Sequence, residues 1–278
     1  MFKRLRQCET LQSFDYQWRC LSQGDAMLSD PWFLDNVERI LVDELLCIDR
    51  SWFSGKRVLD AGCGLGRWTI GLLRLGCRVL AVDASPSALR ALEEQARALV
   101  PHAVAAGRLE TAQVDLLQLP EALAASRFDL VFSFGVLHHT GDTRRALANV
   151  ASLVDDDGVL FLYLYGARSV GWIQRAILAA VRWGLMPLPF AAKVRVLRVL
   201  RPHKDPHQLF DLFSPIINDR LDHEVVGRWL GELGCSEIVH TIEHSELYLR
   251  ARKRPGSQLP ECPLPTRPYW FERYRRRS

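Results

Sequence analysis

The run Arg57-Val58-Leu59-Asp60-Ala61-Gly62-Cys63-Gly64-Leu65-Gly66-Arg67 sets the architecture of this chain. An apolar stretch stops at a glycine-rich turn, and a helix-like segment, Arg67 to Leu75, follows it. Glycine tolerates left-handed backbone and lets a ligand approach the main chain beside a helix N-terminus. The spacing is not G-x-G-x-x-G: the sixth position is Arg67 counted from Gly62 and Thr69 counted from Gly64, so the dinucleotide fingerprint fails. Asp60 points the same way, because a carboxylate two residues before the first glycine opposes a pyrophosphate and favours an ammonium or sulfonium group. Asp83 ends the next apolar run, Cys77 to Val82, where an acid can accept hydrogen bonds from both hydroxyls of a ribose. Together the two acids point to a nucleoside that carries a positive charge.

Outward from this turn the alternation continues. The pattern predicts a helix from about Pro86 to Val100, strands at Leu109 to Val114 and Phe128 to Phe134, and a helix from Asp142 to Leu153. A turn at Asp155-Asp156-Asp157-Gly158 then leads to a strand from Val159 to Tyr165. Buried strands alternating with helices imply an α/β fold, a parallel sheet covered on both sides. Helical spacing of Phe33, Val37, Ile40, Leu41 and Leu45 predicts a helix over Trp32 to Leu46, preceded by the aromatics Phe14, Tyr16 and Trp18. Past Gly166 the rhythm breaks into two helices, 170–184 and 190–200, and a loop rich in Pro, His and Phe, read as an inserted lid. The pattern resumes with a helix from His223 to Leu233, N-capped by Asp222, and strands at Ser236 to Thr241 and Glu246 to Arg252, an antiparallel hairpin at one sheet edge. The expected parts are an N-terminal helical arm (1–50), a core (51–166), a helical lid insertion (167–221), the end of the core (222–254) and a basic tail (255–278).

Bulk properties narrow the classes. At 278 residues, 48% of them hydrophobic, the chain can bury a full α/β core and still carry an accessory cap. The most apolar stretch, Val170 to Phe190, is interrupted by Arg175 and Arg182, so no membrane span is expected. The basic N-terminus lacks an apolar h-region, and a cytoplasmic location is expected. Seven scattered cysteines form no C-x-x-C pair and read as reduced thiols. Much of the +4 net charge lies in the tail Arg267 to Arg277, where arginines interleave with aromatics. Such a tail can stack on nucleic acid, but no basic stripe accompanies it elsewhere, which favours a solvated or docked terminus and no nucleic-acid partner. The spaced pairs His203/His207 and His240/His244 lack a cysteine or carboxylate cluster, and no metal is expected.

The motifs carry a family resemblance. Val58 to Arg67 resembles motif I of class I S-adenosylmethionine-dependent methyltransferases, Val82-Asp83 the ribose-binding acid, and Val114-Asp115-Leu116 the segment whose acid meets the adenine amino group. Phe128 to His139 resembles the fourth-strand motif, and Asp157-Gly158-Val159-Leu160 the turn into the fifth strand, with Asp157 where that family usually has glycine. The resemblance runs from about Phe14 to about Arg252, and Phe14 to Trp18 and Phe210 to Pro215 look like a bacterial small-molecule branch. It implies a Rossmann-like fold with a mostly parallel seven-stranded sheet, and S-adenosylmethionine as cofactor. It places that cofactor against Asp60, Ala61, Gly62, Cys63, Gly64, Asp83, Ala84, Asp115, Leu116 and Phe134, with Tyr16 and Trp18 folding over it or packing as a hydrophobic staple.

Ligands of open α/β sheets sit beyond the carboxyl ends of the strands, so the catalytic candidates are His138, His139, Tyr163 and Tyr165. Either histidine can serve as a general base near neutral pH or pack beside the cofactor. The two tyrosines share a strand face, lining a pocket or a core. The expected function is methylation of a small molecule, in secondary metabolism. The alternative is a methyltransferase-like enzyme that closes the aminobutyrate chain of S-adenosylmethionine to azetidine-2-carboxylate and releases methylthioadenosine.

Overall fold

A computed structural model describes residues 2–21, 27–169, 171–200, 206–254, 259–265 and 270. Within them the apolar runs become the strands of one seven-stranded sheet. These are β1 (Arg57–Ala61), β2 (Arg78–Asp83), β3 (Leu109–Gln113), β4 (Phe128–Phe134), β5 (Val154–Leu164), β6 (Glu237–His240) and β7 (Leu247–Arg252). The order is β3-β2-β1-β4-β5-β7-β6. β1 through β5 are parallel, and β7 runs antiparallel to both β5 and β6. The strand order reverses on either side of β1, so a crevice is expected beyond the carboxyl ends of β1 and β4.

Period-two alternation divides the core into two layers. Val58, Leu130, Phe132, Val159 and Phe161 face one apolar cluster, with Phe33, Leu41, Trp68 and Ile70. Leu59, Ala61, Val131, Leu160 and Leu162 face the other, with Leu147, Val226 and Leu230. The covering helices of the first layer are α2 (Pro31–Arg39), α3 (Arg67–Arg74) and α4 (Pro86–Leu99), and α2 continues as a π-helical stretch to Leu46. Asp30 caps α2 by accepting from Trp32 N, and Ser85 caps α4 by accepting from Ala88 N. On the second layer lie α7 (Thr143–Ser152) and α11 (His223–Glu232); the short α5 (Pro101–Ala105) and α6 (Glu121–Ala124) fill connections between them. Asp222 occupies the N-cap position of α11 as the sequence leads one to expect, without a side-chain cap bond.

The fifth strand begins earlier than its sequence suggests. Phe128 pairs with Val154 and Leu130 with Val159, so the exposed Asp155, Asp156 and Asp157 bulge out of a continuous strand instead of preceding it. The lid is also more regular than expected. It comprises α8 (Trp172–Leu185), α9 (Phe190–Leu200) and α10 (Pro206–Phe213), the last replacing the predicted loop. Pro206 opens α10, where its missing N–H costs nothing.

The arm is α1 (Phe2–Cys20), and it ties lid to core. Ser13 and Ser214 hydroxyls bond at 2.7 Å, Asp15 accepts from the Ser85 hydroxyl at 2.8 Å, and Gln7 donates to the Thr140 carbonyl at 3.0 Å. Lys193 of α9, only 1% exposed, reaches Glu9 at 2.6 Å. A buried lysine pair of this kind is costly to break from one side, so the arm holds the lid in register. All seven cysteines are free thiols, Cys47, Cys63, Cys77 and Cys235 among them buried. Among the described residues no helix is long and apolar enough to cross a membrane. The tail residues 266–269 and 271–278 and the pair His203/His207 lie outside the residues whose side chains are described.

Candidate active site

At the carboxyl ends of β1 and β4, where the strand order reverses, a cavity of about 590 Å³ opens between the glycine turn, the arm and the lid. Its walls include Trp18, Gly62, Cys63, Gly64, Asp83, Ala84, Asp115, Leu116 and Phe134, with His139, Tyr163 and Tyr165. Nine residues scattered in sequence from the arm to the end of the fifth strand thus share one space with the turn that begins the fold.

The turn is shaped by left-handed backbone at Gly62 and Gly64, φ +85° and +53°. A Cβ at Gly62 would lie 2.3 Å from a Val136 methyl, and one at Gly64 would press on the Trp18 ring at 3.3 Å. Glycine is therefore required for close packing at the first position, and it leaves room beneath the Trp18 ring at the second. Gly62 and Cys63 N–H groups donate to the Val82 carbonyl at 2.8 and 3.0 Å, which fastens the turn to the end of β2. Ser133 donates to the Ala61 carbonyl at 3.0 Å from the other side.

Asp83 faces this cavity with its two oxygens already oriented by backbone: Oδ2 accepts from Gly64 N at 3.0 Å and Oδ1 from Ser85 N at 2.8 Å. Burial raises its pKa, and those N–H groups oppose the rise. A carboxylate oxygen has a second lone-pair site, so a diol can still be accepted by both. Asp115 stands exposed on the wall, its Oδ1 accepting from Leu117 N at 2.9 Å.

Asp60 sits behind the turn and does not line the cavity. It is 2% exposed, accepts from the Thr69 hydroxyl at 2.5 Å, and is pushed up to about 7 by burial, reinforced by the nearby Asp83 and opposed by Thr69 and Arg67. Its influence on a ligand is through space. Ala61 is likewise buried in the second core layer. Tyr16 points away from the cavity into the lid, its ring 5.4 Å from Phe190 and 5.6 Å from Phe210.

The two histidines occupy different environments. His138 is fully buried, packs on Tyr165 with ring centroids 4.0 Å apart, and has neither ring nitrogen hydrogen-bonded among the described residues; burial drives its pKa well below the usual histidine value. It is not on the cavity wall. His139 is, and its Nδ1 lies 2.7 Å from the Ile217 carbonyl. A carbonyl only accepts, so Nδ1 carries the proton and Nε2 the lone pair. Burial lowers the His139 pKa, and Asp211 of α10 opposes that shift. Tyr163 and Tyr165 have phenols pushed above their usual value by burial, which keeps them protonated at neutral pH. Tyr163 stacks between Phe134 and Tyr248 at 4.4 and 4.6 Å.

The wall also holds residues not named as site candidates from the sequence. Phe14 packs edge-on against His139 at 5.0 Å, and Gln7, Thr10, Arg67, Asp211 and Asn218 also line the cavity. Phe14, Arg67 and Asp211 fall in segments singled out from the sequence, whereas Gln7, Thr10 and Asn218 carry no such signal. His240 and His244 bond separately, to the Ile242 carbonyl and the Glu246 N–H, and among the described residues no group of three or more His, Cys, Asp or Glu is placed to hold a metal.

Comparisons with known proteins bear on the fold and on one segment of the chain. Residues 59–160 match a family described as a methyltransferase domain. The mitochondrial ubiquinone biosynthesis O-methyltransferase of Schizosaccharomyces pombe is 40% identical over 116 residues, covering 41% of this chain and 39% of that protein. The ubiquinone biosynthesis O-methyltransferase of Xanthomonas euvesicatoria pv. vesicatoria is 37% identical over 113 residues, covering 39% of this chain and 43% of that one. The matched region spans well under half the length of these relatives. Magnesium protoporphyrin IX methyltransferase from Synechocystis PCC 6803, solved with bound SAH, superposes with a TM-score of 0.52 at 21% identity, covering 90% of this chain and 98% of that one. An O-methyltransferase family protein from Burkholderia thailandensis gives 0.55 at 15% identity, covering 84% and 59%.

The chain therefore has the Rossmann-like class I fold of S-adenosylmethionine-dependent methyltransferases. Its segment 59–160 is similar to the methyltransferase-domain family, and the structural neighbour from Synechocystis PCC 6803 has been solved with SAH and with SAM bound.

Proposed function

We propose that this chain transfers the methyl group of S-adenosylmethionine to an oxygen nucleophile of a small molecule, with His139 as the general base. The observation that carries the reading is the His139 Nδ1 bond to the Ile217 carbonyl at 2.7 Å, which turns a free Nε2 lone pair to use in the same cavity as the glycine turn and Asp83. When bound, the cofactor supplies an electrophilic methyl carbon on a sulfonium. The rest is the work of this chain's own groups.

Asp83 takes the ribose hydroxyls, and Asp115 and Leu116 flank the adenine. The Trp18 ring, packed on Gly64 at the cavity wall, offers an aromatic face that attracts a sulfonium. Methyl transfer needs alignment and exclusion of water more than it needs acid or base, and the arm and lid supply both walls. An acceptor hydroxyl does need to lose its proton. His139 Nε2 accepts it, and Asp211 across the cavity favours the imidazolium that results. Tyr163 and Tyr165 remain phenols and orient the acceptor as donors. The O-methyltransferase relatives support an oxygen acceptor.

Mass spectrometry of the full chain with S-adenosylmethionine and a panel of hydroxylated aromatic acceptors tests the reading. A methylated acceptor together with S-adenosylhomocysteine is expected. Methylthioadenosine and a four-carbon amino acid from the cofactor alone would replace this reading with ring closure.

A further inference from the structure

A second cavity, about 330 Å³, shares Asn218 with the first and is lined by guanidinium groups: Arg6 of α1, Arg175 and Arg182 of α8, and Arg220. Against these four cations the wall holds one carboxylate, Asp219, whose Oδ2 is engaged by the Thr143 hydroxyl at 2.9 Å. Leu178, Ile216 and Trp183 complete the lining with apolar surface.

The positive charge here is poorly compensated. Arg182 is buried and spends Nε and Nη2 on a neutral acceptor, the Leu212 carbonyl, at 3.0 and 2.9 Å. Burial and the neighbouring Arg220 both destabilise its charged form. Arg220 is ion-paired with Glu246 at 3.5 Å and also donates to the Gly166 carbonyl and the Ser169 hydroxyl, so its charge alone among the four is directly matched by a carboxylate among the described residues. Arg6 lies over the Trp183 ring at 6.0 Å, and its Nε is buried with no hydrogen-bond partner among the described residues. The Oδ1 of Asn218 is buried and unpartnered in the same way. Guanidinium groups gathered with fewer counter-charges than cations repel one another, and a buried donor left unpaired keeps its desolvation penalty, the more so when it is charged. An oxyanion removes both penalties, because the planar fork of arginine matches phosphate and carboxylate oxygens in pairs.

We propose that this arginine cavity is the subsite for an anionic group, a phosphate or a carboxylate, on the small molecule whose hydroxyl meets His139, with Asn218 at the junction between the two cavities. The proposal rests on the methyl-transfer reading above and narrows its acceptor to an anionic molecule. The anion fixes one end, and the nucleophile is thereby positioned at the other. A neutral acceptor of the same shape would leave the arginines unpaired and be rejected.

Isothermal titration calorimetry on the full chain, with and without saturating S-adenosylhomocysteine, tests it using inorganic phosphate in one arm and benzoate in the other. One-to-one binding of at least one anion is expected, weakened more than tenfold in Arg6→Gln and in Arg175→Gln, while S-adenosylhomocysteine affinity stays within twofold of wild type. Phosphate alone assigns a phosphorylated acceptor, and benzoate alone a carboxylate. Failure of both anions to bind, or undiminished binding in both variants, overturns the subsite. Arginine-dependent anion binding in a chain that does not bind S-adenosylhomocysteine would instead overturn the cofactor reading, and with it the acceptor role, while the anion cavity stands.

Discussion

Replacing Asp60 by asparagine should remove a pH dependence from cofactor affinity. Burial holds the Asp60 carboxyl at about 7, so about half of it is protonated at pH 7 in the free protein. A sulfonium and an ammonium bound in front of the turn favour the carboxylate, and binding therefore releases a proton. With Asp60 at about 7 in the free protein and ionised in the complex, its contribution to affinity scales as the ionised fraction of the free protein. That fraction is about one in eleven at pH 6 and about ten in eleven at pH 8, a rise of about tenfold, or about 1.4 kcal/mol. Calorimetric titration of S-adenosylmethionine between pH 6 and 8 measures it, with Asp60→Asn as reference so that titration of the ligand itself cancels. An equal slope in the two proteins would refute the assignment of a through-space role to Asp60. S-adenosylhomocysteine, whose sulfur is uncharged, should show a smaller difference between them.

Three further outcomes follow from the same geometry. His139→Ala should lower turnover by about 10²–10⁴-fold and leave S-adenosylmethionine affinity within twofold, measured by steady-state kinetics beside calorimetry; equal loss of both would assign the ring a binding role. Gly62→Ala forces a Cβ to 2.3 Å from Val136 at φ +85° and should destabilise the fold by about 1–3 kcal/mol, read from urea midpoints. His138 binds its proton less readily folded than unfolded, so the stability linked to it is complete above pH 6.5 and is lost as pH falls below that value; His138→Phe should flatten the fall in urea midpoint between pH 7 and 5.

Much of this was legible in the sequence, because the features concerned are local. Strand cores such as Phe128 to Phe134 announce themselves by continuous apolar character, and the glycine turn by its position between a strand and a helix. The antiparallel β6–β7 hairpin followed from two short strands and their tight connection. Features that depend on residues far apart were not legible. Tyr16 and Trp18 are two apart on α1, so they diverge by about 200° around the helix, one toward the lid core and one toward Gly64. Asp60 looked like a direct ligand for a cation, whereas parallel pairing on both sides of β1 buries it behind the turn. α10 reads as a loop from its Pro, His and Phe content, yet a proline at the first helical turn breaks nothing. The arginine cavity joins residues 6, 175, 182 and 220 from three parts of the chain, and no spacing rule links them.

Binding of S-adenosylmethionine to wild type and to Asp83→Ala, measured side by side by calorimetry, tests the central claim most directly. The account predicts one-to-one binding to the wild type and a loss of more than tenfold, about 1.4 kcal/mol or more, in the variant. Equal affinity in the two proteins would contradict it, because the glycine turn and its partner acid would then not be where the cofactor lies.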